Sequence, residues 1–355
     1  MRFDPNALTR IAAAALGALA LAACAPQAHK TPGVIHLRYA TPYPPNHPFS
    51  KADIAWMKEI EKRSGGRLKI DPFWGGTTIS SDQAVFELEH GVADMALVMP
   101  IYQRAGARTI KTQTAFYVGA DTPAQQIEVY HCLQQDYPVL ARETPGIRIV
   151  AVQGGSLSHI VTRNRTIRTL ADLRGLRLRA PVEAAPVLRK LGASPLIMPM
   201  GEVYSALSKG TIDGVVAPSD TLKSLHFSEV AHHIVNLKFA RGGYPARAIS
   251  NRAYAALPAD LQTLIDQSGS FWEAALAADV TRSQEEGVVF GKAQGIEFTE
   301  PSAADQARVN ELEKEVAIED AAKLEKIGVP GPQMFSRTQS LIGRINAGQA
   351  ACPAS

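Results

Sequence analysis

The 355-residue sequence lacks the short motifs that usually mark catalytic or nucleotide-binding sites. No glycine-rich loop ends in Gly-Lys-Ser or Gly-Lys-Thr, as a phosphate-binding loop would. Residues 154–158 (GGSLS) lack the last glycine of a nucleophile elbow. His232 and His233 are adjacent, so their side chains point apart on a strand or helix and make a poor metal pair. We therefore predict that the protein is not an enzyme and needs neither cofactor nor metal.

A large excess of one charge is also absent. The chain has 37 Lys and Arg against 34 Asp and Glu, a formal net charge of +3. The basic residues are scattered rather than clustered, which argues against nucleic acid as a partner. Hydrophobic residues make up 46 % of the chain, which is ordinary for a globular protein. The length suits one large two-lobed domain or two domains.

Long hydrophobic runs are absent except near the N-terminus. Residues 11–21 form an Ala/Leu-rich run behind Arg10 that is too short for a permanent membrane-spanning helix. Leu-Ala-Ala-Cys follows and ends at Cys24, and this tetrapeptide resembles a bacterial lipobox. We expect residues 1–23 to be a lipoprotein signal peptide, Cys24 to be diacylated, and residues 24–33 to be a tether. The alternative is an ordinary cleaved signal peptide in which Cys24 is incidental.

Cysteine is scarce, and only Cys132 and Cys352 remain beyond Cys24. Export from the cytoplasm permits a disulfide between these two residues. The alternative is a half-buried Cys132 on a helix and a Cys352 in a loose tail. Both readings stay open, because the sequence does not show whether two cysteines lie close together.

Alternating hydrophobicity and short connections predict an α/β fold. Residues 34–40 and 67–73 alternate and are predicted strands. Ser50 is expected to begin a helix, with Asp53 as its capping partner. The order strand–helix–strand continues to about residue 152, which predicts a mainly parallel sheet flanked by helices.

The same order of elements begins again after Gly154 and Gly155, which predicts a second lobe. Leu257 and Pro258 then open a long helix with an apolar face that continues to about Phe290. This helix is expected to have roughly 30 residues and a length of about 45 Å, enough to brace two lobes.

Four segments, taken in their order and spacing, resemble the DctP-like family of periplasmic solute-binding proteins of TRAP transporters. They are residues 63–70 (RSGGRLKI), 90–95 (HGVADM), 170–218 and 256–261 (ALPADL). The resemblance covers about residues 34–345 and implies a two-lobed periplasmic binding protein fold with an interlobe ligand cleft and a long bridging helix. The implied lobes are residues 34–155 with 245–285, and residues 156–244 with 286–350.

The resemblance points to Arg179 as the main ligand-binding residue. In the family, the arginine of the GLRLRAP motif (residues 175–181) clamps the carboxylate of an organic acid. A guanidinium suits this task because its planar fork matches a carboxylate in two parallel hydrogen bonds. The alternative is a surface arginine. His159 stands where many family members have a second ligand-binding arginine, and it is either a weaker, partly charged donor or a structural histidine.

The other positions that the resemblance implies are mostly apolar or aromatic. They are Trp74, Met99, Met200 and Ala217 around the pocket, with Tyr43 and His47 in the proline-rich loop after the first strand. Thioethers and an indole favour an aromatic or aliphatic ligand over a polyol. The alternatives are that the methionines belong to the core and that the loop residues are only solvated.

The resemblance implies a protein of the periplasm or cell envelope, anchored by Cys24, that captures a carboxylate by cleft closure and delivers it to a TRAP-type permease. A first rival is a binding protein for a sensor kinase or for another transporter class. A second is an envelope enzyme on the same scaffold, which no catalytic constellation in the sequence supports.

Overall fold

The computed structural model describes residues 33–352. The predicted signal peptide, Cys24 and nearly all of the tether lie outside these residues. Among the helices that are described, none combines the length and the apolar character needed to cross a membrane.

In the described residues, eleven strands form two mixed sheets. The strands are β1 (Ile35–Ala40), β2 (Leu68–Phe73), β3 (Met95–Leu97), β4 (Ile147–Gln153), β5 (Ser158–Thr162), β6 (Arg177–Arg179), β7 (Ser194–Leu196), β8 (Gly214–Ala217), β9 (His233–Phe239), β10 (Tyr244–Ser250) and β11 (Glu297–Thr299). The first sheet has the order β2-β1-β3-β10-β4, and the second has the order β11-β9-β5-β8-β6-β7.

Helices cover both sheets. They are α1 (Pro48–Arg63), α2 (Ala84–Glu89), α3 (Arg108–Gln113), α4 (Pro123–Asp136), α5 (Val139–Arg142), α6 (Ala184–Lys190), α7 (Val203–Lys209), α8 (Thr221–Ser224), α9 (Asn251–Ala255), α10 (Ala259–Ala293), α11 (Ala303–Glu325) and α12 (Gly331–Asn346). The two-lobed α/β fold expected from the sequence is confirmed. The exact residue limits proposed for the lobes stay a prediction.

The first sheet is not mainly parallel. β1 pairs in parallel with β2 and β3, but β10 runs antiparallel to both β3 and β4. β10 enters directly from β9 of the second sheet through residues 240–243, without the helical crossover that a parallel neighbour needs. Neither β9 nor β10 was among the predicted strands, and the predicted mainly parallel sheet was therefore wrong.

The start of α1 also differs from the prediction. The helix begins two residues before Ser50, and Nδ1 of His47 accepts a hydrogen bond from the backbone N of Phe49 at 3.2 Å. Asp53 is fully buried, and its Oδ1 accepts a hydrogen bond from Nε of Arg247 at 2.7 Å. The predicted capping pair is wrong, because this carboxylate is the counter-charge of a buried arginine.

The long helix α10 has 35 residues, or about 52 Å, and confirms the predicted brace. Two glycines of this helix allow it to approach the main chain of other segments closely. A Cβ at Gly269 would collide with the carbonyl oxygen of Val150 in β4, on the first sheet. A Cβ at Gly287 would collide with the carbonyl oxygen of Ser219, which follows β8 of the second sheet. The helix therefore packs directly against both lobes.

The two remaining cysteines form a disulfide. Cys132 on α4 is bonded to Cys352, which lies 220 residues further along the chain, and their Cα atoms are 5.6 Å apart. This resolves the alternatives that the sequence left open. The bond ties the C-terminal segment to the first lobe and restricts a long loop of the unfolded chain, which stabilises the folded state.

Candidate functional site

A cavity lies between the two sheets, where loops from both lobes meet. The first lobe contributes the loop after β1, the segment after β3 and the start of β10. The second lobe contributes the start of β5, the ends of β6 and β8, and the segments that follow those two strands. Two crossings of the chain between the sheets, residues 154–157 and 240–243, form part of the wall. Polar side chains at strand ends thus converge on one crevice, as is common in α/β proteins.

Arg179 is the last residue of β6 and is only 1 % exposed. Its Nε donates to the carbonyl oxygen of Met198 at 3.0 Å, and Nη1 donates to the carbonyl oxygen of Val216 at 3.3 Å. Nη2 donates to the hydroxyl of Tyr102, which belongs to the first lobe. The carbonyls orient the guanidinium, and the tyrosine connects it across the cleft.

An aromatic cluster forms the opposite wall. The rings of Tyr43 and His47 are stacked with their centroids 4.0 Å apart, and Phe49 packs against both rings edge-on. Burial, with help from nearby cationic side chains, lowers the pKa of His47 to about 3, so this imidazole is neutral at neutral pH. The wall therefore offers flat, largely apolar surface and no positive charge.

Most of the remaining lining is apolar. Met99 follows β3 and is buried, while Met200 follows β7 and is partly buried. Other apolar lining residues are Ile101, Pro181, Val216, Pro218 and Val280. Thioethers and branched side chains of this kind adapt to an apolar ligand body.

Three charged groups that sequence reasoning missed line the same cavity: Glu183, Asp220 and Arg241. Burial raises the pKa of Glu183, and it raises the pKa of Asp220 to about 6. Oε2 of Glu183 is buried without a hydrogen-bond partner in the described chain. Glu183 and Asp220 each lie a few residues beyond a predicted strand end, which was an available signal. Arg241 lies between β9 and β10, which the predicted order of strands and helices did not include.

The structure brings together five of the eight predicted site residues: Tyr43, His47, Met99, Arg179 and Met200 all line the cavity. The other three do not line it. Ala217 is fully buried in β8 between two lining neighbours, and the ring of Trp74 packs edge-on against Tyr39. Contact of these two residues with a ligand stays a prediction.

His159 lies on β5 and has a structural partner. Its Nε2 is 3.0 Å from Nε2 of Gln284 on α10, whose Oε1 accepts a hydrogen bond from the backbone N of Ser219 at 2.9 Å. Burial lowers the pKa of His159 to about 4, so the ring is neutral at neutral pH. The residue thus helps to hold the long helix against the second sheet. A role as a second anion-binding residue stays a prediction.

The described residues contain no cluster of three or more His, Cys, Asp or Glu side chains that could hold a metal ion. The cavity instead combines a preoriented guanidinium, apolar walls and two carboxyl groups. This combination suits recognition of a small anion with an apolar body.

Two mixed α/β lobes, a cleft crossed twice by the chain and a long bracing helix define a two-lobed periplasmic binding protein. The sequence profile of the DctP family, described as bacterial extracellular solute-binding protein, family 7, matches residues 39–323. The chain belongs to this family, and the resemblance to TRAP solute-binding proteins is confirmed.

Individual relatives are distant. A solute-binding protein of Sulfitobacter sp. (strain NAS-14.1) is 27 % identical over 259 residues, which cover 71 % of this chain and 76 % of the relative. The sialic acid-binding periplasmic protein SiaP of Vibrio cholerae is 31 % identical over 148 residues, which cover 39 % of this chain and 44 % of that protein.

Solved structures agree on the fold. A TRAP solute-binding protein from Rhodoferax ferrireducens in complex with copurified benzoate has a TM-score of 0.79 and 22 % identity, covering 89 % of this chain and 99 % of that one. One from Bordetella bronchiseptica with bound (R)- and (S)-mandelate has a TM-score of 0.78 and 22 % identity, covering 88 % and 99 %. At this identity, the likeness supports the fold alone.

Proposed function

We propose that the protein captures an organic acid outside the cytoplasm in its interlobe cleft and delivers it to a TRAP-type membrane permease. The observation that carries this proposal is Arg179, a guanidinium buried in the cleft and oriented by two main-chain carbonyls. Its three nitrogens are held by neutral groups, so its charge has no anionic partner among them. A ligand carboxylate would supply the missing negative charge.

Closure of the two lobes is the proposed mechanism of capture. The bond between Arg179 and Tyr102 joins the second lobe to the first and would form only when the cleft is shut. The cavity has a volume of about 40 Å³, far below the roughly 300–1,000 Å³ of typical ligand pockets. A ligand would therefore enter an open form, and its contacts with both lobes would stabilise the closed form.

The apolar lining favours an aromatic or branched aliphatic acid over a polyhydroxylated acid. Burying apolar ligand surface contributes roughly 25 cal/mol per Å² before the costs of association, whereas sugar hydroxyls must find partners or lose hydrogen bonds to water. The benzoate and mandelate in the two similar structures are compatible with this preference.

Isothermal titration calorimetry with benzoate, mandelate, glucuronate and sialic acid would test this preference. All four acids carry a carboxylate, so differences among them report on the rest of the ligand. We expect the two aromatic acids to bind more tightly than the two sugar acids. Tight binding of a sugar acid, with no binding of either aromatic acid, would refute the apolar-ligand proposal. A thermal-shift screen over organic acids would widen the search, since a ligand specific for the native state raises the melting temperature.

We also propose that Cys24 is the lipid-bearing residue that anchors the protein. If so, the Cys24→Ser variant should move from the membrane fraction to the soluble fraction. A diacyl anchor binds the membrane far more strongly than the polypeptide alone would. Fractionation followed by immunoblotting measures this change, and the wild-type protein is the reference that should stay with the membranes. Retention of Cys24→Ser in the membrane fraction would contradict the anchor.

A further inference from the structure

The chain crosses between the two sheets at two adjacent places, and Arg241 lies where they meet. Arg241 is partly buried on the second crossing, residues 240–243. Its guanidinium packs against Gly155 on the first crossing, since a Cβ at Gly155 would lie 2.7 Å from Cζ and Nη1 of Arg241. Both residues line the interlobe cavity. Because glycine has no side chain, position 155 leaves room for the guanidinium of Arg241.

The hydrogen-bonding capacity of Arg241 is mostly unused within the described chain. Its side chain donates one hydrogen bond there, from Nη2 to the hydroxyl of Tyr244, at a long 3.5 Å. The carboxyl groups of Glu183 and Asp220 line the same cavity and interact with the charge of Arg241 through space, but neither accepts a hydrogen bond from it in the described chain. A guanidinium is always charged and offers five N–H donors, and donors left without an acceptor in a partly buried site cost free energy. Several donors therefore remain for an occupant of the cavity.

We propose that Arg241 is a second ligand anchor, which binds an oxygen acceptor other than the carboxylate held by Arg179. The ligand group that contacts Arg241 must be a hydrogen-bond acceptor, because a guanidinium donates hydrogen bonds and accepts none. The ligand would be an organic acid with a second acceptor oxygen, either a keto oxygen or a second carboxylate. This anchor presupposes the carboxylate site at Arg179.

The position of Arg241 gives the second anchor a role in closure. Arg179 belongs to the second sheet, Tyr102 to the first lobe, and Arg241 to a segment that passes from one to the other. An acid that bound Arg179 and Arg241 together would fix the crossing segment relative to the second lobe. The second acceptor would thus add affinity through the same closed state that the carboxylate stabilises.

Two pairs of acids, each differing by one acceptor, would test the second anchor in the full-length mature protein. Phenylglyoxylate has a keto group where phenylacetate has a methylene group. Phthalate has a second carboxylate that benzoate lacks. We expect the wild type to prefer the acceptor-bearing acid of at least one pair by about 10- to 150-fold, the usual contribution of a hydrogen bond to a charged group. In Arg241→Met this preference should fall to within about threefold, while binding of the simpler acid changes little. Arg241→Lys should restore part of the preference.

Gly155→Ala provides a second route to the same result. Its Cβ would displace the guanidinium of Arg241, so it should also weaken the preference without removing a charge. Gly343→Ala is the matched control, because a Cβ there meets nothing within 4 Å. Calorimetry gives the affinities, and thermal unfolding of the ligand-free variants shows whether each one is folded.

The outcomes separate the second anchor from the carboxylate site. If Arg179→Ala abolishes binding of all four acids but Arg241→Met keeps the wild-type preference, the second anchor is overturned and the carboxylate site stands. Equal affinity of the wild type for both members of both pairs also overturns the second anchor. If the wild type binds none of the four acids, both the anchor and the proposed aromatic ligand class are overturned.

Discussion

Arg179→Ala should weaken carboxylate binding by roughly 30-fold to several-thousand-fold, the equivalent of about 2–5 kcal/mol. The size of the effect follows from burial. The side chain is 1 % exposed, so the bound carboxylate would be desolvated and left without its charged partner. Arg179→Lys keeps the charge but loses the planar fork, so it should recover affinity only in part. Calorimetry with the best acid from the screen measures both changes.

The variant also needs a folding control, because the main-chain carbonyls of Met198 and Val216 lose a donor when Arg179 is removed. Circular dichroism and thermal unfolding of the ligand-free variants provide it, and Arg179→Lys retains a cation at the site if the alanine variant is unstable.

Arg177→Ala is the matched control for affinity. Arg177 lies two residues earlier on β6, but it is exposed and pairs with Asp213 at 2.6 Å. Removing it should change stability little, because an exposed ion pair contributes little, and it should leave affinity unchanged. Binding by Arg179→Ala within about twofold of the wild type, a difference under about 0.5 kcal/mol, would end the carboxylate-clamp interpretation.

Asp53→Ala should lower the free energy of unfolding by about 3–5 kcal/mol, because it leaves the charge of Arg247 buried and unpaired. Both side chains are 0 % exposed. Asp53 also accepts hydrogen bonds from Nε1 of Trp272 at 2.7 Å and from the hydroxyl of Tyr39 at 2.8 Å. One carboxylate therefore joins α1, β1, β10 and the bracing helix α10.

Urea titration measures this loss, with an unchanged slope showing that the unfolded state is comparable. Glu311→Ala is the matched control. Glu311 is also a carboxylate on a helix, but it is paired at the surface with Arg308, and both side chains are about half exposed or more. Its removal should cost under about 1 kcal/mol. A loss of less than about 1 kcal/mol in Asp53→Ala would show that the buried pair is not a major source of stability.

Local pattern predicted the elements that carry their own signal. β1 and β2 alternate, and the proline at the start of α10 precedes a long apolar face. The position of Arg179 at the end of a strand followed from the same kind of pattern together with the family motif. The predicted order of strands connected by helices left out β9 and β10, because these two strands follow each other directly across the cleft.

Contacts between residues that are far apart in the chain give no local signal in the sequence. Asp53 looks like a helix-capping residue in sequence, and its partner Arg247 lies 194 residues away. Arg241 and Gly155 are also far apart in the chain and meet only where the two crossings run side by side. The contacts of Gln284 on α10 with His159 and with the backbone N of Ser219 likewise depend on how the long helix packs against the second sheet.

The sequence by itself determined the family, the two α/β lobes, the long brace and the arginine at the strand end, because each is written in contiguous motifs or in regular periods of hydrophobicity. Only the tertiary structure decided the disulfide between Cys132 and Cys352, the buried pair of Asp53 and Arg247, and the entry of Arg241 into the cavity. These features depend on distances between segments that are remote in the chain, and such distances are set by the packing of the whole fold rather than by any local pattern of residues.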